Sequence, residues 1–146
     1  MSIKKNNKLT FFLPDFESDL RIPFVKEGVS AGFPSPAADF METSIDLNKE
    51  LTDNPLATFY IKVKGNSMID AGINDNDVLV VDRSLEPQNN KIAICFIDGE
   101  FTVKRILVEQ DCLYLMPENP NYSPIKVTEE NQLIIWGMVT YVIKKL

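Results

Sequence analysis

The sequence predicts a mainly β domain with one short helix and an extended N-terminal arm. Three observations lead to this fold class: short runs rich in β-branched and aromatic residues, turn-forming residues between those runs, and one segment patterned like a capped helix. The length of 146 residues suits a single domain, and a hydrophobic fraction of 45% is enough to build a buried core.

The chain divides by composition into three parts. Residues 1–31 form the predicted arm, because their scattered aromatic and acidic side chains follow no sustained period. Residues 32–41 form the predicted linker, since small residues and prolines favour an extended, exposed chain. The remaining residues, 42–146, are expected to fold as the β-rich domain.

The elements of that domain follow in order along the chain. A short helix is expected to begin at Thr43 or Ser44, whose hydroxyl would cap it, and to end at Leu51. The clearest hairpin signal is Asp98-Gly99 between two apolar runs, because this dipeptide favours a tight two-residue turn. A loop rich in proline and asparagine is predicted before the last strand. The predicted strands are residues 58–64, 78–81, 92–97, 101–108, 113–116 and 133–143, the last of which could be one strand or two.

Composition argues against several functional classes. A net charge of −6 argues against direct, sequence-specific DNA binding, which needs a basic surface. Cys95 and Cys112 lie among apolar residues, so buried thiols are expected rather than a disulfide framework or a zinc site, and no metal or other cofactor is expected. No apolar run has the length of a secretory signal or a membrane span, which favours a soluble, cytoplasmic protein without membrane contact.

The chain contains no histidine, so a nucleophilic serine would need a different base. Ser67 follows Gly65-Asn66, where a strand is predicted to lead into a turn, and the glycine would let the backbone expose the hydroxyl. The main-chain amides of Ser67 and Met68 are candidates for an oxyanion hole. An ordinary turn serine that bonds to its own backbone is the alternative that the residues alone leave open.

Lys104 is the candidate base. If Asp98-Gly99 is the hairpin turn, Lys104 faces Ala93 across the ladder and shares a face of its strand with Thr102. An ammonium is poorly solvated among such side chains. Burial could lower the pKa of a lysine from about 10.4 far enough to make it a general base. The alternative is a strand lysine that faces water.

Five short motifs occur in order along the chain: GFPSPAADF, IDLN, GNSMIDAGI, DGEFTVKR and NYSPI, at residues 32–40, 45–48, 65–73, 98–105 and 121–125. Together they resemble the LexA/UmuD family of self-cleaving serine peptidases. The resemblance implies the β-rich fold of LexA and signal peptidase, with Ser67 as nucleophile and Lys104 as general base. It also implies self-cleavage between Ala31 and Gly32, a pair more typical of LexA than of UmuD.

The resemblance further implies partners. Family members of this kind form homodimers and cut themselves when they meet the RecA filament on single-stranded DNA. The shortened form then serves a UmuC-type error-prone DNA polymerase in the SOS response. Two alternatives remain open: a non-cleaving dimeric interaction module of the same fold, and a peptidase acting on other proteins, which would need a membrane or secretory address.

Overall fold

The structure is a computed structural model that describes residues 9–15, 21–23, 31 and 44–146, with residues 21–23 described by their backbone. The chain forms two compact units: Met1–Pro14 with Asn54–Leu146, and Asp15–Asp53. The described strands are β1 (Leu9–Phe12), β2 (Arg21–Pro23), β3 (Ser44–Asp46), β4 (Thr58–Val63), β5 (Val78–Asp82), β6 (Ile92–Ile97), β7 (Glu100–Val108), β8 (Leu113–Met116), β9 (Ile125–Val127) and β10 (Leu133–Ile143); the helical segments are α1 (Leu47–Leu51) and two 3-10 turns, Pro55–Ala57 and Ile69–Ala71.

The larger unit is an 8-stranded antiparallel sheet in the order β1-β4-β5-β10-β6-β7-β8-β9. This confirms the predicted mainly β fold. Strands β1 and β9 were not predicted. Strand β1 comes from within the segment predicted as an extended arm, so at least residues 9–12 of that segment belong to the main sheet. The linker of residues 32–41 remains a prediction, since all of it lies outside the described residues.

The smaller unit pairs β2 with β3 and continues into α1. The predicted helix cap at Thr43 or Ser44 is wrong. Ser44 is part of β3, and Thr43 lies outside the described residues. Asp46 caps the helix instead, because its Oδ1 accepts the amide hydrogen of Asn48 at 3.0 Å. A carboxylate satisfies the open N–H groups of a first turn as well as a hydroxyl does.

The hairpin of β6 and β7 has the predicted turn and register. Asp98 and Gly99 both adopt positive φ, 48° and 85°, as a type I′ turn requires. Ala93 lies opposite Lys104. The hairpin therefore places Lys104 on the face of the sheet that the sequence predicted.

Strand β10 runs unbroken through the centre of the sheet, but its register shifts twice, once against β6 beside Trp136 and once against β5 beside Thr140. Gly137 lies between these irregularities, and a Cβ there would meet Val81 Cγ1 at 2.6 Å. The absence of a side chain thus lets β5 and β10 approach closely. Bulges of this kind bend a strand and increase its twist.

Buried side chains form two clusters that share β6. Ile94 belongs to the first and its neighbours Ala93 and Cys95 to the second, because successive residues of a strand face opposite sides. Val103 of β7 lies in the first cluster. Lys104, the next residue, points to the side of the second cluster. The alternation of side chains along β7 therefore places an ionisable side chain in the interior.

Candidate active site

Ser67 lies in the loop that follows β4. Gly65 turns the chain with a φ of 101°, a conformation that residues with a side chain rarely adopt. The amide of Gly65 donates to Asp75 Oδ1 at 2.7 Å. On the other side of Ser67, Met68 is only 2% exposed and anchors the loop in the first core cluster. The backbone around Ser67 is therefore fixed from both directions.

A second loop also holds the Ser67 segment. The amide of Glu118 donates to the Ser67 carbonyl oxygen at 2.8 Å, and the Glu118 carbonyl accepts from the Asp70 amide at 2.8 Å. Asn119 Nδ2 donates to the Asn66 carbonyl at 2.8 Å across 53 positions of sequence. Its proline and asparagine content predicted a loop here. Only the folded chain shows that it supports the serine.

Lys104 reaches Ser67 from β7. Its side chain is nearly fully buried, with the whole residue 6% exposed. The amine Nζ lies 3.1 Å from Ser67 Oγ, 2.7 Å from Thr102 Oγ1 and 3.0 Å from the Val103 carbonyl oxygen. The two residues that the sequence singled out, separated by 37 positions, are thus within hydrogen-bonding distance.

These contacts orient the amine. A neutral amine has two N–H donors and one lone pair, and the Val103 carbonyl can act only as an acceptor. If its N–H groups donate to Thr102 and Val103, a neutral Lys104 amine has its lone pair left to accept the hydroxyl hydrogen of Ser67. The arrangement can therefore take a proton from the serine if Lys104 is uncharged.

Cys95 occupies the same side of the hairpin, opposite Thr102. Burial raises the pKa of its thiol to about 12, and the nearby charge of Lys104 only partly opposes that effect. At neutral pH Cys95 is therefore an uncharged thiol and offers no negative charge to stabilise an ammonium at Lys104. The expectation of a buried thiol is confirmed for Cys95, which is fully buried, whereas Cys112 is partly exposed.

A small pocket opens beside the serine, lined by residues 63–65, 67–68 and 102–103. Among the described residues, the backbone amides of Ser67 and Met68 donate no hydrogen bond. Ala31 is exposed, and Gly32 lies outside the described residues. The predicted oxyanion hole and the predicted scissile bond both remain predictions.

No cluster of three or more metal-ligating side chains occurs within the part of the chain that the structure describes. Carboxylates in the turns have other partners: Asp98 accepts hydrogen bonds from the Gln132 amide and from Asn131 Nδ2, and Asp77 forms an ion pair with Lys144. Over the same described ranges, no helix is long and apolar enough to cross a membrane.

Residues 23–140 match the protein family described as "Peptidase S24-like". The chain belongs to this family. Family membership agrees with the observed β-rich fold and with the resemblance to LexA/UmuD proteins that the five motifs indicated. It does not by itself assign the nucleophile, the base or the bond that is cut.

Relatives with high identity cover most of this S24-like chain. MucA of Salmonella typhimurium is 42% identical over 122 residues, which are 82% of each protein. SamA of the same species is 43% identical over 123 residues, or 84% of this chain and 85% of SamA. These are UmuD-like proteins, so the resemblance is confirmed. The LexA repressor of Caldicellulosiruptor saccharolyticus is 40% identical over 127 residues, but these make up only 60% of LexA.

Proposed function

We propose that this S24-like chain is a self-cleaving serine peptidase that uses Ser67 and Lys104 to cut its own Ala31–Gly32 bond. The observation that carries the proposal is the 3.1 Å separation between Lys104 Nζ and Ser67 Oγ in a nearly buried setting. Burial disfavours an ammonium relative to a neutral amine, and only the neutral amine can act as a base. Serine–lysine pairs of this kind replace the serine–histidine pair of other peptidases.

The proposed cut proceeds in two stages, formation of an ester and its hydrolysis. Lys104 Nζ takes the hydroxyl proton of Ser67 while Oγ attacks the carbonyl carbon of Ala31. The resulting oxyanion accepts hydrogen bonds from the amides of Ser67 and Met68. The Lys104 ammonium then gives its proton to the nitrogen of Gly32, the C–N bond breaks, and an ester joins Ala31 to Ser67. Water, deprotonated by Lys104, hydrolyses the ester and leaves a carboxylate at Ala31 and a free serine.

The proposal also covers the protein's partners and its location in the cell. Stimulation by the RecA filament on single-stranded DNA would start the cut, and the shortened homodimer would serve a UmuC-type error-prone polymerase in the SOS response in the cytoplasm. The UmuD-like relatives MucA, ImpA and SamA support this role. The chain's net charge of −6 also fits a protein that acts through partner proteins and does not grip DNA itself.

The test is the intact mass of the purified chain after incubation at about pH 7 and about pH 10, with and without RecA, nucleotide and single-stranded DNA. We expect a new species beginning at Gly32, which forms faster at the higher pH and with the filament. It should be absent from Ser67→Ala and Lys104→Ala. The matched control is Lys126→Ala, because Lys126 is an exposed lysine on β9 and its loss should leave the cut unchanged.

Two results would contradict the proposal. Conversion of purified Ser67→Ala at the same bond, without another protease, would show that Ser67 is not the nucleophile. A wild-type mass that stays unchanged in every condition would favour the non-cleaving interaction module of the same fold.

A further inference from the structure

The N-terminal strand occupies an edge of the main sheet that would otherwise be open. Among the strands that the structure describes, β1 is the terminal strand of the sheet and pairs with β4, in the register Leu9↔Val63 to Phe12↔Tyr60. Without β1, β4 would be an edge strand with unpaired backbone donors and acceptors. Such an edge is a template for another extended chain.

Phe11 fills a gap between distant strands. Its ring lies 5.0 Å from the ring of Phe101 and 5.1 Å from that of Trp136, both in edge-to-face arrangements. In the sheet order β1 and β7 are five strands apart, so they would be separated by about 24 Å in a flat sheet. The contact shows that the sheet curls, and that Phe11 closes the space between the curled parts.

Trp136, which contacts Phe11, is also held in place by other residues. The guanidinium of Arg83 lies over the Trp136 ring at 4.4 Å from its centroid, and Arg83 Nε donates to the Trp136 carbonyl at 3.0 Å. Phe59 supports the same indole at 5.0 Å. A site whose walls are fixed in advance loses little conformational entropy when a ligand enters.

We propose that the β4 edge, together with the aromatic cleft of Phe59, Phe101 and Trp136, is a binding site for an extended segment of a partner protein that carries an aromatic side chain. Residues 9–12 occupy this site in the intact chain and define the ligand's chemistry: backbone pairing over four residues, with one ring turned inward at the position of Phe11. Release of the arm opens the site to the partner.

The cut would convert a tethered strand into a separate, weak ligand. The bond between Ala31 and Gly32 lies between β1 and β4 in the sequence, so cleavage ends the covalent link through that segment. A tether raises the local concentration of its strand to about the millimolar range, and that advantage is lost on cleavage. This unmasking step rests on the proposed self-cleavage, whereas the binding site itself does not.

Two lysines on or next to β4 are consistent with an edge that becomes exposed when the arm is released. Lys62 lies opposite Thr10, and Lys64 follows the strand and is exposed. Lysines on an edge strand oppose indiscriminate pairing with other sheets. Specific binding then depends on the aromatic cleft, which adds a side-chain requirement to the backbone pairing.

Trp136 provides a direct test because it is the only tryptophan in the chain. We would compare its fluorescence in the full-length Ser67→Ala chain with and without Phe11→Ala, and then titrate the double variant with a synthetic peptide of residues 7–14. We expect Phe11→Ala to shift the emission to longer wavelength and the peptide to reverse the shift. Phe12→Ala is the matched control, because Phe12 is the next residue and points to the other face of the strand.

A peptide with alanine at Phe11 should bind at least about tenfold more weakly than the native peptide, whereas alanine at Phe12 should have a much smaller effect. Equal effects of the two changes, or no reversal by the native peptide, would overturn the proposal. If Phe11→Ala unfolds, as judged by loss of its far-ultraviolet circular dichroism signal, the same peptide titration is carried out with Phe11→Leu and judged by the same criteria. The Ser67→Ala background keeps the result independent of cleavage, and the Trp136 emission of the wild-type chain before and after cutting tests the unmasking separately.

Discussion

Thr102 should orient Lys104, and Thr102→Val tests this with little change of shape. The variant removes the oxygen that lies 2.7 Å from Lys104 Nζ, closer than the Ser67 hydroxyl and the Val103 carbonyl oxygen. A hydrogen bond to a neutral amine contributes about 1 kcal/mol, so the rate of self-cleavage on its high-pH plateau should fall about fivefold. The rate would be measured by intact mass as a function of pH.

The pH dependence separates orientation from a general loss of structure. Hydrogen bonds to charged groups are stronger than those to neutral ones, so loss of the Thr102 oxygen destabilises the ammonium more than the amine. The midpoint of the pH–rate profile should therefore move to lower pH, and the rates of the variant and the wild type should converge below it. Thr140→Val is the control, since Thr140 bonds to the Val80 carbonyl in another strand. A uniform loss at every pH would refute the orienting role.

Three further predictions concern stability and accessibility. Gly137→Ala should lower the free energy of unfolding by about 1–3 kcal/mol in chemical denaturation, because its Cβ would meet Val81 Cγ1 at 2.6 Å. Burial tends to raise the pKa of Asp82, but hydrogen bonds from neighbouring side chains and an amide outweigh it and lower that pKa. The ionised group therefore stabilises the fold above about pH 4, and the stability difference between wild type and Asp82→Asn should shrink as pH falls below that value. A thiol reagent should modify Cys112 in the native protein but Cys95 only after unfolding, because Cys95 is fully buried and burial raises its pKa to about 12.

Local patterns predicted the parts of the site that depend on neighbours in sequence. The turn at Asp98-Gly99 determines which residue faces Ala93, so the position of Lys104 followed from a two-residue signal. The support of Ser67 by Glu118 could not be predicted in this way, because it depends on loops brought together by the sheet. The same holds for β1, because its pairing partner β4 lies far away in the sequence.

Strand β4 lies between the arm and the serine, but different residues of β4 bond to the two sides. The amide of Val63 donates to the Asp77 carbonyl and its own carbonyl accepts from Asn76, both at 2.8 Å, so both backbone groups of Val63 point away from β1. Because successive residues of a strand direct these groups to opposite sides, Tyr60 and Lys62 are the ones that face β1. Hydrogen exchange should therefore show that the Tyr60 and Lys62 amides lose protection when the arm leaves, while Val63, which lines the pocket beside Ser67, keeps it. Equal loss of protection at all three amides would mean that the arm also holds the active-site loop. Cleavage would then disrupt the active site that carried it out.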